Sequence, residues 1–339
     1  MADNAISLEL AGHDVRVSNP DKVFFSARGE TKRDLVDYYL AVQEPLLRDL
    51  GGRPTMLQRF PDGASGKSFY QKRVPAGAPE WLQTMEVSTP NGTTSNALVL
   101  ADMAHVVWAV NLGCLGFHPW PYLAEDPDHT DELRIDLDPQ PGSTFDMARE
   151  AAVEVKALFD EVGMMAWPKT TGSRGIHVYV RLEPRWNSYE VRAAAVAVAR
   201  ELERRRPELV TAAWWKEERG QRIFVDYNQN APHKTVFGPW SVRARVGAQV
   251  SAPLTWDEIP TVDPESLTIA TVPERVSGSS DPWSGIDAAP QTLQPLLEMS
   301  ERDLASGLMD APWPPVYPKM PNEPPRVAPS RARDSDSEG

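Results

Sequence analysis

Residues 132–139, Glu-Leu-Arg-Ile-Asp-Leu-Asp-Pro, constrain the fold more than any other stretch of the chain. Leu133, Ile135 and Leu137 alternate with Arg134, Asp136 and Asp138, and a period of two marks a strand whose faces meet different surroundings. One face must enter a core. The other presents Asp136 and Asp138 about 7 Å apart along the strand. Two carboxylates at that spacing suit a divalent cation or a pair of them, because hard cations take oxygen ligands and two-metal phosphoryl-transfer sites share carboxylates. An edge strand with a solvated acidic face has the same pattern, so the pair decides nothing alone.

The flanking patterns supply neighbours for this strand. Downstream, Ser143 is expected to cap a helix with Asp146 at the capping-box position, and Ala148, Ala152, Val155, Phe159 and Val162 line one face until Gly163. A strand over 164–169 then enters the turn Thr170-Thr171-Gly172-Ser173-Arg174-Gly175, and a second strand over 176–182 leaves it with His177 on the face opposite Ile176 and Val178. Glycines, hydroxyls and a guanidinium make this turn either a phosphate cradle or an ordinary hairpin connection. A helix from Ser188 to Pro207 follows. The strand Arg222–Asp226 ends in a third acid, and Lys234, Arg243 and Arg245 come within twenty residues of it, as a triphosphate site would need.

Upstream, Thr31-Lys32-Arg33-Asp34 reads as a capping box opening a helix that Pro45 kinks or shortens. Residues 69–73, Phe-Tyr-Gln-Lys-Arg, set aromatics beside cations, which suits base stacking and phosphate holding but also a half-buried hairpin. A hairpin turns at Pro90-Asn91-Gly92, an apolar helix spans 102–114, and a strand over 115–120 carries His118, either a phosphate or metal contact or a structural histidine.

The net charge of −13 opposes a nucleic-acid partner only if it is evenly spread. It is not: Ser251–Asp310 holds eleven acids and two arginines, whereas Trp214–Gln249 holds six Lys or Arg and three acids. A single cysteine, Cys114, excludes an intramolecular disulfide and a cysteine-rich zinc site. No secretory pattern opens the chain and no apolar run is long enough to span a bilayer, so a cytoplasmic protein with no membrane partner is expected. Three segments are expected: a catalytic domain over 1–253, an acidic extension over 254–310 packing on it, and a tail over 311–339 rich in Pro and Ser, disordered or draped on the surface.

The motifs, in this order, resemble the polymerase domain of bacterial ATP-dependent DNA ligase D, a branch of the archaeo-eukaryotic primase superfamily. The resemblance runs from about Asn19 to Pro253. It rests on Asp21-Lys22-Val23, Thr31-Lys32, Gly52-Arg53-Pro54, Phe69-Tyr70-Gln71-Lys72, His118, Asp136-Leu137-Asp138-Pro139, Thr171–His177, Val225-Asp226 with Gln229-Asn230, and Ser241-Val242-Arg243.

That resemblance implies an α+β primase-polymerase fold, with two mainly antiparallel sheets flanking the active-site cleft and helices packed outside. It implies that Asp136, Asp138 and Asp226 hold two manganese or magnesium ions. It places His118, Thr171, Ser173, Arg174, His177, Arg219, Lys234 and Arg243 around an incoming NTP or dNTP. Phe69 and Tyr70 would pack on template bases, and Lys22 and Lys32 would hold the 5′-phosphate across a gap, with Lys72 extending that DNA surface. The implied activity is template-directed primer extension and filling of short gaps, ribonucleotides favoured, in non-homologous end joining or related repair. Partners would be gapped or broken double-stranded DNA, Ku and a separate ligase, in a nucleoid-associated setting.

Two departures bear on this. The turn reads Thr-Gly-Ser-Arg-Gly where the family has Ser-Gly-Ser-Lys-Gly, so Thr171 adds a methyl near the expected sugar and bears on ribonucleotide preference. Nothing resembles the ligase or nuclease modules, so a stand-alone polymerase is expected. The competing readings are a primase, a metal-dependent nuclease, against which Lys234 and Arg243 speak, and an idle end-binding scaffold, against which the three acids and two histidines speak.

Overall fold

The computed structural model describes residues 4–245, 247–278 and 281–326. A hairpin opens the chain, β1 (Ala5–Leu10) with β2 (His13–Ser18), and a small ribbon follows, β3 (Val23–Phe25) with β4 (Glu30–Thr31). Thr31 caps α1 (Lys32–Ala41) through the expected box, since its hydroxyl accepts from the Asp34 amide and the Asp34 carboxylate accepts from the Thr31 amide. The helix breaks at Val42, and α2 (Gln43–Leu50) carries Pro45 in its first turn, where a missing N–H is harmless.

One five-stranded sheet comes from β5 (Pro54–Arg59), β6 (Phe69–Gln71), β7 (Thr84–Ser88) and β8 (Thr94–Val99), followed by α3 (Met103–Asn111) and β9 (Cys114–Pro119). Its order is β6-β5-β8-β7, with β9 also on β5, and every pairing is antiparallel. The second sheet comes from β10 (Thr130–Pro139), α4 (Phe145–Glu161), β11 (Trp167–Thr170), β12 (Ile176–Trp186), α5 (Ser188–Arg205), β13 (Val210–Thr211), α6 (Lys216–Arg219) and β14 (Ile223–Val225). Its order is β11-β12-β10-β14-β13, antiparallel except for β13 with β14. The fold is thus α+β with two mainly antiparallel sheets, as the resemblance implied.

The alternation in β10 works as read. Leu133, Ile135 and Leu137 are buried in one core with Ala148, Ala152, Val155 and Phe159 of α4 and Val191, Ala195, Val198 and Leu202 of α5. Each Leu, Ile, Val or Phe side chain among them contributes roughly 1.5–3 kcal/mol when buried. One detail differs from expectation. Thr144, not Ser143, caps α4, because the Ser143 hydroxyl already donates to the Gln140 carbonyl in the preceding turn.

Buried charges clip the sheets together. Arg53 at the head of β5 grips Asp131 at 2.6 Å, and Arg181 of β12 reaches Glu132 at 3.0 Å and Asp287 at 2.7 Å. Beyond Pro253 the chain stays against this body: Leu254, Ile259, Leu267, Leu293 and Leu296 join the same core, and α7 (Val272–Gly278) and α8 (Gln294–Ala305) lie in this region. Residues 311–326 run over α5 with Trp313 and Tyr317 buried, and the rest of the expected tail lies outside the described residues. Among the described residues no helix is long and apolar enough to cross a membrane.

Candidate active site

Pairing registers bring the acids together. Asp136 lies directly opposite His177 across β10 and β12, and Leu137 and Asp138 pair with Val225 and Phe224 of β14. Asp226 follows at once, its amide donating to the Asp136 carbonyl at 2.9 Å. The three acids therefore sit on neighbouring strands at one end of the sheet. His177 Nε2 is 3.2 Å from Asp136 Oδ1, Gln229 Nε2 donates to Asp226 Oδ2 at 2.9 Å, and Gln140 Nε2 donates to Asp138 Oδ2 at 3.0 Å.

Burial makes these carboxylates costly to ionise. It raises the pKa of Asp136 to about 6 against the pull of nearby Lys169 and Arg243. It raises Asp226 to about 7, with the neighbouring Asp136 adding to the rise and Lys234 and Arg219 opposing it. Asp138 is raised by burial and then by Asp136.

The turn between β11 and β12 is held tightly under this end of the sheet. Its first hydroxyl, Thr171 Oγ1, accepts from the Gly175 amide, and Thr171 itself is buried while Arg174 is exposed and Ser173 half-buried. A Cβ on Gly175 would come within 2.7 Å of the Leu137 carbonyl oxygen, and one on Gly172, at φ +66°, within 2.9 Å of Arg243 Cγ. Only glycine permits these approaches. Arg243 Nε donates to the Thr171 carbonyl at 2.8 Å, and its guanidinium lies 3.5 Å from the Phe237 ring centroid. Burial lowers its pKa to about 10.

The other sheet closes the site from its far side. His118 on β9 is buried between Tyr70 and Phe237, with ring centroids 5.3 and 5.1 Å away. Burial lowers its pKa to about 3, with Arg243 and Lys169 nearby adding to the fall. His118 Nε2 and His177 Nδ1 are buried without a hydrogen-bond partner among the described residues. Phe69 and Tyr70 are exposed on β6, and Arg59 stacks 5.0 Å from the Phe69 centroid.

Arg219 lies at the end of α6 with its guanidinium over Phe224, donating to the carbonyls of Ala213 and Trp214 and to Gln140 Oε1. It therefore reaches Asp138 through Gln140. Lys234 is half-buried just beyond Asp226, and Lys72 lies near His233. The two lysines near the N-terminus differ. Lys22 is partly exposed and donates to the Pro61 carbonyl, whereas Lys32 is buried, its ammonium on the carbonyls of Ser18 and Asn111.

Sequence reading missed Lys169. It is fully buried on β11 opposite His177, and its amine donates to Ser251 Oγ at 2.6 Å and to the Phe237 carbonyl at 3.1 Å. The available signal was its place two residues before the Gly-rich turn, one cross-strand step from His177. Gln140 was missed as well, since a glutamine after a strand carries no pattern.

Among the described residues no group of three His, Cys, Asp or Glu side chains is placed to hold a metal ion unaided. The donor chemistry nevertheless fits a hard divalent cation, because Asp136 raises both Asp138 and Asp226, and a cation among crowded carboxylates relieves that repulsion.

The family described as LigD, primase-polymerase domain, matches residues 31–283. The multifunctional non-homologous end joining protein LigD of Mycolicibacterium smegmatis is 35% identical over 276 residues, 81% of this chain and 36% of that protein. The bifunctional LigD of Bacillus subtilis is 33% identical over 273 residues, 80% of this chain and 44% of that one. The chain thus spans less than half the length of these relatives. The polymerase domain of Mycobacterium tuberculosis ligase D, solved in complex with DNA, superposes with a TM-score of 0.76 at 32% identity, covering 81% of this chain and 98% of that one.

Proposed function

The chain belongs to the LigD primase-polymerase family, a family of DNA/RNA nucleotidyltransferases, and on that premise we propose that it extends primers and fills short gaps in broken DNA by metal-dependent nucleotidyl transfer. One observation carries the reading: three acids gathered at one end of adjacent strands, Asp136 and Asp226 half-buried and Asp138 exposed, each with its pKa raised by desolvation, stand beside the cations Arg243, Lys234 and Arg219.

Asp136, Asp138 and Asp226 would hold two manganese or magnesium ions, with substrate phosphate oxygens completing the ligand sets. Held there, such ions would supply a lowered pKa for a primer 3′-hydroxyl and positive charge against the departing pyrophosphate. The chain's own groups do the rest. Arg243, fixed by the Thr171 carbonyl and the Phe237 face, presents a preorganised charge to the triphosphate, Lys234 and Arg174 share that task, and His177 stands beside them as an uncharged ring. Gln140 and Gln229 orient two of the carboxylates. His118 and Ser173 face the same nucleotide, ribonucleotides are favoured over deoxyribonucleotides, and the methyl of Thr171 bears on how strongly.

Exposed Phe69 and Tyr70 stack on template bases, and Lys22, Lys32 and Lys72 attract DNA carrying a downstream 5′-phosphate. End joining with Ku and a separate ligase, at the nucleoid in the cytoplasm, is the setting this activity fits. The test is single-nucleotide incorporation into a gapped duplex with and without the 5′-phosphate, in manganese and in chelator. Incorporation that needs the metal, favours UTP over dTTP and rises with the phosphate supports the reading. Binding without incorporation under every condition would replace it with an end-binding scaffold.

A further inference from the structure

The segment that joins Asp226 to Lys234 is gripped from outside by residues beyond the family match, which ends at 283. Within that segment Asp226 accepts from the Asn228 amide and from Gln229 Nε2. Asn228 is in turn held on both sides of its amide group. Its Oδ1 accepts from Arg192 Nε at 2.7 Å, and its Nδ2 donates to the Pro312 carbonyl at 3.0 Å.

Arg192, buried on α5, is the pin between the two. It donates to the Asp310 carboxylate and to the carbonyls of Ala311 and Pro312, and its guanidinium lies 3.8 Å from the Trp313 ring centroid. Further along, Trp313 and Tyr317 pack on Ala231, and the Tyr317 hydroxyl donates to the Pro232 carbonyl. The stretch is also folded on itself: Glu323 accepts from the amides of Trp313 and Met320, and Arg326 closes over Glu323. The proline-rich sequence supplies little backbone freedom to lose, so a few buried anchors suffice to hold it.

We propose that residues 310–323 are a strap that positions the Asp226–Lys234 segment for nucleotide binding, with Arg192 and Trp313 as its clasp. None of these residues reaches the reacting atoms. Their effect passes through Asn228 to the segment that Asp226 opens, and through Ala231 and Pro232 to the approach of Lys234. This rests on the nucleotidyl-transfer reading for the identity of the ligand, but not for the mechanical coupling. The opposite edge of the segment is fixed independently, since Asn230 exchanges hydrogen bonds with the Arg134 backbone. Loosening the strap therefore frees the outer side of the segment without unfolding β10.

The experiment uses the full chain carrying Trp313→Ala with Tyr317→Ala, and Trp313→Phe as the conservative variant. In the double variant KM for the nucleoside triphosphate should rise about fivefold or more, with kcat within about twofold and duplex DNA affinity unchanged. Trp313→Phe, which keeps a ring against Arg192, should restore most of the loss. Hydrogen exchange gives the second reading: amides of 227–234 should exchange about tenfold faster in the double variant, those of β12 unchanged. Wild-type KM and wild-type exchange in the double variant would overturn the strap. So would faster exchange throughout the molecule with equal losses in kcat and KM, which is general destabilisation. If the wild type itself incorporates nothing, the functional reading fails, and exchange over 227–234 still decides whether the strap positions this segment.

Discussion

His177 Nε2 stands 3.2 Å from Asp136 Oδ1, directly across the β10–β12 pair. Burial holds this histidine well below its ordinary pKa, with Lys169 and Arg243 adding to the fall, so the ring faces the carboxylate uncharged. A neutral ring orients the acid without cancelling the charge that a cation needs. Replacing His177 by Ala should lower kcat/KM for nucleotide incorporation roughly a hundredfold, the cost of a misplaced catalytic group. Steady-state kinetics within threefold of wild type would contradict the role.

The acids also set a pH dependence. Cation binding requires carboxylates free of protons, and Asp136 and Asp226 lose theirs near about 6 and about 7. At limiting manganese, incorporation should climb through that window, and raising manganese should move the midpoint downward because metal competes with protons. A midpoint that ignores metal concentration would count against these ligands.

Stability should move the other way. Asp226 is raised by burial above its ordinary 3.8, so the folded state binds more protons than the unfolded one between about 4 and about 7. Stability from this group is complete below the unfolded pKa and is lost as pH rises through the folded one. In chelator, Asp226→Asn should be more stable than wild type above pH 7, by on the order of 1–3 kcal/mol, and equal to it near pH 4. Thermal melts at the two pH values check both parts.

Lys22 and Lys32 should separate in their effects. Lys22→Ala removes a partly exposed cation, so it should cut stimulation by the downstream 5′-phosphate and lower the salt slope of DNA binding by about 1, with little change in melting. Lys32→Ala empties a buried carbonyl cage and should cost about 1–3 kcal/mol of stability as well. Equal stabilities would show that the cage does not matter.

The strand carrying Asp136 and Asp138 was legible because alternation is a local property: Leu133, Ile135 and Leu137 can be sorted by eye into one buried face. The Thr31–Asp34 cap and the glycine turn at 171–175 were legible for the same reason. What was hidden depends on contacts between distant residues. Lys169 looks like any strand lysine until Ser251, 82 positions away, accepts its hydrogen bond. Residues 311–326 read as surface chain because prolines hide the few anchors, Trp313 and Tyr317, that bury against Ala231. Charge segregation was visible in the sequence, but not that Asp287 would be drawn back to Arg181.

That last contact belongs to a buried network and carries its own test. Arg181 neutralises Asp131, Glu132 and Asp287 together. Arg181→Ala leaves Asp131 and Glu132 to Arg53 and Arg134 and takes this partner from Asp287, and should cost about 3 kcal/mol in denaturant unfolding. A loss under 1 kcal/mol would mean that Arg53 and Arg134 compensate the buried acids without it.

The central claim is most directly tested by primer extension on a gapped duplex in manganese with wild type, Asp136→Ala and Asp138→Ala, alongside duplex binding by fluorescence anisotropy. The account predicts extension by the wild type, none by either variant, and unchanged DNA affinity in all three. Extension at wild-type rates by either variant would contradict it, because the carboxylates of β10 would then have no part in the chemistry.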